Sequence, residues 1–344
     1  MAAADPIALS GAPGSPYTRK MLAVLRYRRI PYRFLPRAWG AVAGLPEPKV
    51  QLMPTFYLPG PDGALEAVVD SSPIIRRLEA DYEGRAVVPD APALAFLDEL
   101  IEDYADEWLT KAMFHYRWSY AADIDKAGIL LPCWREYSIP DETLAERAEV
   151  IRERQISRLY VVGSNPTTAP VIEASYRRFL QVFEAHLTHQ RFILGQRPAA
   201  CDFAVFGQLT QLAQFDPTPM ALTLQIAPRV YAWVSLMEDL SGLEPGDDDW
   251  ISLDAPPATL NTLLAEIGRV YPPVMLANAR ALMSGVETVE AEVDGLPWRQ
   301  PPFPYQVKCL QWLRASRGAL PADDRSVVDP ILEAAGCASL FAPR

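Results

Sequence analysis

Three hydroxyls crowd one short stretch near the N-terminus: Ser15-Pro16-Tyr17-Thr18, set between an apolar run at 6–12 and an amphipathic segment at 17–29. A redox protein would place Cys-Pro-Tyr-Cys at such a strand-to-helix junction. Here both sulfur positions carry hydroxyls, so thiol–disulfide exchange has no nucleophile. Serine hydrolysis fares no better, because Pro13 breaks a Gly-x-Ser-x-Gly pattern and the 3 histidines lie far away in sequence. What remains is donation. A helix N-terminus presents free N–H groups and a partial positive charge. A hydroxyl donating there to a thiolate contributes roughly 1.5–3 kcal/mol. That equals about one to two pKa units, enough to ionise near neutrality a thiol that ordinarily titrates near 8.5. Such a site activates a sulfur it does not own. Ser15 also fits a plain N-cap, a role compatible with donation, and Tyr17 and Thr18 are alternative donors.

Alternating strand and helix signals surround this stretch. Residues 6–12 read as a buried strand, and 17–29 as a helix with Met21, Leu22 and Leu25 on one face and Arg and Lys on the other. Residues 31–37 alternate as a strand, 54–69 read as a hairpin turned at 60–63, and 71–82 as a helix with Pro73 in its first turn. The order strand-helix-strand-(short helix)-strand-strand-helix is that of a thioredoxin-like fold. After a linker at 85–93, Leu94, Leu97, Ile101, Tyr104, Trp108, Ala112 and His115 recur at spacings of three and four, predicting one helix over 94–118. Helices are expected at about 141–160, 170–189, 200–215 and 227–240, with further helical patterns in ATLNTLLAEIGRVY and YQVKCLQWLRAS. The domains so drawn are 1–85, 92–242, and a tail, 243–344, expected to pack on the helical domain because Leu260, Leu263, Leu264, Tyr305, Leu310, Trp312 and Leu313 need a partner.

Composition narrows the function. A length of 344 residues fits about two domains. The net charge of −11, with no Lys/Arg-rich run, argues against a nucleic-acid partner. The first residues have neither the basic nor the long apolar region of a signal peptide, and no run of about 18 apolar residues is available to span a membrane. Cys133, Cys201, Cys309 and Cys337 are scattered, against a disulfide framework or a zinc site. A reducing, cytoplasmic setting is expected. His186-x-x-His189 has metal-like spacing without an evident third ligand and is read as a helix surface feature, so no metal is expected.

Four motifs in order give the chain a likeness. Ser15-Pro16-Tyr17-Thr18, Met53-Pro54, Asp70-Ser71-Ser72-Pro73-Ile74 and FILGQRPAACDFAVFGQL at 192–209 together resemble the Ser/Cys-type classes of the cytosolic glutathione transferase family over about residues 5–240. The resemblance implies a thioredoxin-like α/β domain followed by an all-α domain. It implies glutathione as co-substrate, without another cofactor, conjugated to a hydrophobic electrophile. Ser15 would meet the thiol. Met53, before a cis Pro54, would pair with the cysteinyl backbone, and Asp70 and Ser71 would hold the γ-glutamyl end. Arg37 or Lys49 would meet the glycyl carboxylate. Tyr17, Tyr104, Trp108 and His115 are candidates for the electrophile pocket. The family's usual assembly implies a homodimer. Two departures stand out: Asp70 replaces the family's Glu, and Ala199 replaces the capping Ser of the last motif, leaving Asp202 to cap alone. Isomerisation, dehalogenation or ether cleavage are alternative glutathione chemistries, and a non-catalytic scaffold is the alternative outside enzymes.

Overall fold

The computed structural model describes residues 5–36, 42 and 44–342. Strand β1 (Ile7–Gly11) is buried along its length because it lies inside a sheet of order β2-β1-β3-β4, with β2 (Tyr32–Pro36), β3 (Thr55–Pro59) and β4 (Leu65–Val68). β1 runs parallel to β2, Ile7 opposite Tyr32, so a crossover must join them; helix α1 (Pro16–Tyr27) is that crossover. β3 is antiparallel to both neighbours, Phe56 standing between Leu9 and Val68. Helix α2 (Ser71–Asp81) completes a thioredoxin-like unit. Among the described residues no helix lies between β2 and β3, where a short one was expected. On α1 the apolar face is as read, but Lys20 is buried too. Its charge is met from across the molecule, which an amphipathicity reading of one helix has no means to register.

The second half is helical: α3 (Pro92–Tyr104), α4 (Thr110–Ser119), α5 (Ala121–Cys133), α6 (Asp141–Ile156), α7 (Ala169–His186), α8 (Ala200–Leu212), α9 (Pro217–Ile226) and α10 (Pro228–Met237). The single helix expected over 94–118 is interrupted by a π turn at Ala105–Leu109. α5 and α9 were not foreseen. Each holds residues unfavourable inside a helix (Gly128 and Pro132; Pro217 and Pro219), but Pro217 occupies the harmless first turn. α8 is buried on every face. Its start is capped by Asp202, whose Oδ2 accepts from Ala199 N and Oδ1 from Ile193 N, both at 2.9 Å. A Cβ at Gly207 would stand 2.5 Å from Pro16 O, so α8 presses its backbone against the beginning of α1.

The tail forms α11 (Ala258–Ser284), an unforeseen hairpin of β5 (Val289–Val293) and β6 (Leu296–Gln300), then α12 (Pro304–Ala319) and α13 (Ala322–Ala335). α11 packs on α7 and α3, and α12 and α13 pack on α11 and α3. Trp298 packs tilted against Trp108, ring centres 5.3 Å apart, and Tyr271 meets Tyr104 edge-on at 6.0 Å, so tail and helical region share one hydrophobic core.

Candidate functional site

A cavity of about 700 Å³ opens where the start of α2, the π turn with its flanking helices, and α12 converge. Met53, Pro54, Asp70 and Ser71 all line it. The Met53–Pro54 peptide is cis. Asp70 holds φ 85, a conformation L-residues avoid, and its carboxylate does not cap α2. Instead Asp70 Oδ2 accepts from the Tyr305 hydroxyl of α12 at 2.8 Å. The structure thus brings together the four residues read as a tripeptide site and adds a tail tyrosine to them.

Beneath Ser71 lies a buried ion network. Lys20 Nζ donates to Ser71 Oγ at 3.1 Å, Glu102 Oε1 at 2.8 Å and Asp106 Oδ2 at 2.6 Å, which satisfies all three ammonium protons. Glu102 also accepts from Ser72 Oγ and Arg76 Nη2, at 2.8 and 3.0 Å. Burial alone would raise the Glu102 carboxyl, but Lys20 and Arg76 outweigh it and hold it at about 2. The network fastens α1 and α2 to α3, and removing one member of such a buried set typically costs about 3–5 kcal/mol.

The hydroxyls of α1 part company. Ser15 caps the helix, its Oγ accepting from Thr18 N at 3.2 Å. The loop before it is held by Arg117 Nη1, donating to Gly14 O at 3.2 Å, and Gln211 Nε2, donating to Pro13 O at 3.3 Å. Ser15 is buried and does not line the cavity, whereas Tyr17 does. The Tyr17 O–H donates to Asp106 O at 2.8 Å, and burial, then Asp106 and Glu107, push its pKa well above the ordinary value. Thr18 is enclosed, its Oγ1 accepting from Ala12 N at 3.3 Å.

Of the other expected pocket residues, Tyr104, Trp108 and His115 do not reach the cavity. Tyr104 and Trp108 pack in the core, with Trp108 Nε1 donating to Ser175 Oγ at 3.1 Å. His115 is closed in by Ser164 at 2.8 Å and Glu173 at 3.2 Å, and burial lowers its pKa. All three continue the buried stripe of Leu94, Leu97 and Ile101 into the core, while Asp106 and Glu107, on the other side of the same segment, line the cavity. His186 is not a surface residue either; it is buried against Thr259 and Phe192 O, and no metal-holding cluster occurs among the described residues. Lys49 is exposed and outside the wall, and Arg37 lies outside the described residues. The wall's cations are Arg76 and Lys111.

Sequence reading missed the wall's acids. Asp103 is pushed well above its usual range by burial and then by Glu107. Burial lifts Asp106 to about 6 against the pull of Lys20, and Glu107 to about 7 against Lys111. Burial lowers Lys111 to about 8. Their spacing gave little away, since Glu102, Asp103, Asp106 and Glu107 fall opposite the apolar stripe, where an amphipathic helix ordinarily carries solvated charge. The tail's contribution (Phe303, Tyr305, Gln306, Trp312) had no signal in sequence.

Two segments of the chain match two family models. Residues 9–86 match the glutathione S-transferase N-terminal domain, and 172–240 match the glutathione S-transferase C-terminal domain. Over those residues the chain carries the N-terminal and C-terminal domains of the glutathione S-transferase family, the thioredoxin-like one followed by the helical one. Solved structures similar to it include a glutathione transferase family member from Pseudomonas fluorescens with two glutathione bound, 16% identical, covering 75% of this chain and 92% of that one at a TM-score of 0.40. Another is a Tau class glutathione S-transferase from mango, 16% identical, covering 67% and 88% at a TM-score of 0.37. A glutathione S-transferase from Methylobacterium radiotolerans, complexed with glutathione sulfonate, is 18% identical, covering 66% and 93% at a TM-score of 0.35. No curated protein matches the chain.

Proposed function

We propose that the cavity binds glutathione and that the protein transfers it to a hydrophobic electrophile. The observation that carries this reading is Asp70: held at φ 85, free of capping duty, and facing one cavity with Met53, Pro54 and Ser71. A non-glycine residue in such a conformation costs on the order of 1–3 kcal/mol and persists where the surroundings over-determine it, commonly at ligand clamps. In this reading the Met53 backbone pairs with the cysteinyl unit, while Asp70 and Ser71 take the γ-glutamyl ammonium and carboxylate. Arg76, whose Nη1 is buried without a partner among the described residues, supplies a donor for a carboxylate. The thiol loses its proton to solvent. The sulfur lone pair then forms a bond to the electrophilic carbon, and the leaving group departs with its bonding electrons.

Ser15 is assigned to the thiolate. Its Oγ accepts from the helix, which leaves its own proton to donate, and the positive end of α1 adds to the effect. Tyr17 is the second reading, favoured by its place in the cavity wall. Against it, its proton is already given to Asp106 O and its acidic neighbours repel a thiolate. The proposal includes a homodimer and a reducing compartment, the latter supported by four free cysteines, three of them buried. Among the described residues no helix is long and apolar enough to cross a membrane.

The test is a titration of bound glutathione by thiolate absorbance, with calorimetry for affinity. Ser15→Ala raises the bound thiol's pKa by about one to two units with affinity nearly unchanged, and Tyr17→Phe leaves the titration in place. A shift in Tyr17→Phe alone gives the role to tyrosine. No binding at millimolar glutathione ends the transferase reading in favour of a scaffold.

A further inference from the structure

We propose that the cavity takes a lipophilic amine: a second substrate that sets an ammonium group among the π-turn residues and α12 and lays an apolar body against the aromatic wall of α12. This rests on the transferase reading for the word substrate, though not for the chemistry of the pocket.

Three observations meet here. The first is unmet acceptors. Asp106 Oδ1 and Gln306 Oε1 are both buried without a hydrogen-bond partner, and both residues line the cavity while being only 8% and 2% exposed. A buried polar atom left unpaired costs about 1–3 kcal/mol, and two unpaired acceptors on residues lining one cavity call for a donor.

The second is a charge imbalance in the wall. Glu102 is met by Lys20 and Arg76, one oxygen of Asp106 by Lys20, Asp103 by the Tyr271 hydroxyl and Asp70 by the Tyr305 hydroxyl. Glu107 has no ion pair among the described residues. The neighbouring Lys111 sends its Nζ to Val162 O at 3.2 Å and stands 5.7 Å from the centre of the Trp298 ring. Burial and mutual repulsion hold Asp103, Asp106 and Glu107 above the usual carboxylate range. An entering cation relieves that penalty, whereas an entering anion deepens it.

The third is the opposite wall. Phe303, Tyr305 and Trp312 present rings, Tyr305 and Trp312 meeting edge-on at 6.4 Å. These rings suit cations, and Lys308 Nζ already stands 4.3 Å from the centre of Trp312. The start of α12 is pinned where it must be: Asn278 Nδ2 donates to Phe303 O at 2.8 Å, and Phe303 N donates to Asn278 Oδ1 at 2.7 Å.

The experiment compares three probes of one shape on the full chain by calorimetry at pH 7.5, without glutathione: naphthylmethylammonium, naphthylmethanol and naphthalene carboxylate. The ammonium is expected to bind about tenfold or more tighter than the alcohol, the ratio one charge-assisted hydrogen bond supplies, and the carboxylate weakest. Glu107→Gln, with folding checked by its melt, removes the preference for the ammonium and leaves the alcohol's affinity unchanged; Gln306→Leu weakens the ammonium alone. Equal binding of ammonium and alcohol overturns the proposal. So does displacement of the ammonium by millimolar glutathione, which would assign the acceptors to the tripeptide's own amine. An ammonium preference in a protein that ignores glutathione keeps the pocket and removes the transferase reading.

Discussion

Asp70 has two claimants. Its carboxylate is suited to a ligand ammonium, yet the Tyr305 hydroxyl from α12 already donates to it. Burial, then Cys309 and Asp70, raise the Tyr305 pKa, so the phenol stays protonated and remains a donor. A hydrogen bond to a charged group contributes roughly 1.5–3 kcal/mol, less where water reaches it as it does here. In the proposed reading a glutathione ammonium competes with the phenol for that carboxylate. Tyr305→Phe is therefore expected to tighten glutathione several-fold while lowering stability by about 1 kcal/mol or less. Calorimetry and a thermal melt read the two effects separately. Weaker binding in the variant would mean that tyrosine helps to hold the ligand.

Between elements, the close approach of α11 and α13 decides whether the tail can brace the cavity. Gly268 makes that approach possible: a Cβ there would stand 1.8 Å from Ala335 O and 2.8 Å from its carbonyl carbon, a clash with backbone that has no rotamer to yield. Gly268→Ala has to push the helices apart, at a cost of about 1–3 kcal/mol or more. Chemical denaturation is expected to show a lower midpoint with an unchanged slope. Because α13 also packs on α3, which carries Glu102 and Asp103 to the wall, the same variant should weaken ligand binding. An unchanged midpoint would mean that the two helices do not touch in solution.

For the whole molecule, buried carboxylates set the response to pH. Burial holds Asp98 and Glu107 at about 7 and Asp106 at about 6, so the folded chain keeps protons that the unfolded chain releases near 4. Stability from these three is fully present below that value and is lost as pH rises toward about 7. Glu102 acts in the opposite direction. Held at about 2, it contributes stability above its ordinary 4.5 that is lost as pH falls toward 2. Together they place the optimum on the acid side of neutrality. Thermal melts at pH 5 and pH 8 are expected to favour pH 5 by a few kcal/mol, because each pH unit between a group's folded and unfolded titration is worth about 1.36 kcal/mol. Glu107→Gln should narrow the difference. Greater stability at pH 8 would show that these groups ionise freely in the fold.

Much of the fold could be read from local pattern, because local pattern reports local physics. The apolar strand at 6–12, the helix at 17–29 and the hairpin around 60–63 follow from hydrophobic period and turn residues, and four short motifs identified the family. One local signal went unread: Asp294-Gly295, both at positive φ, turns the β5–β6 hairpin, and a Val-rich alternation precedes it. The candidate site divides along the same line. Met53, Pro54, Asp70 and Ser71 are legible because each sits at a strand or helix end whose motif is contiguous. Lys20 looked like a solvent residue because its partners lie 82 and 86 positions away. His115, Trp108 and Tyr104 do share one stripe, as their spacing says, but that stripe faces the core, and spacing does not tell a core face from a cavity wall. The sequence alone determined the family, the order of its elements and the residues at their ends. Only the tertiary structure decided which charges are buried together and that α12 lies over Asp70, since burial and long-range closure depend on where distant segments meet, which no window of local sequence contains.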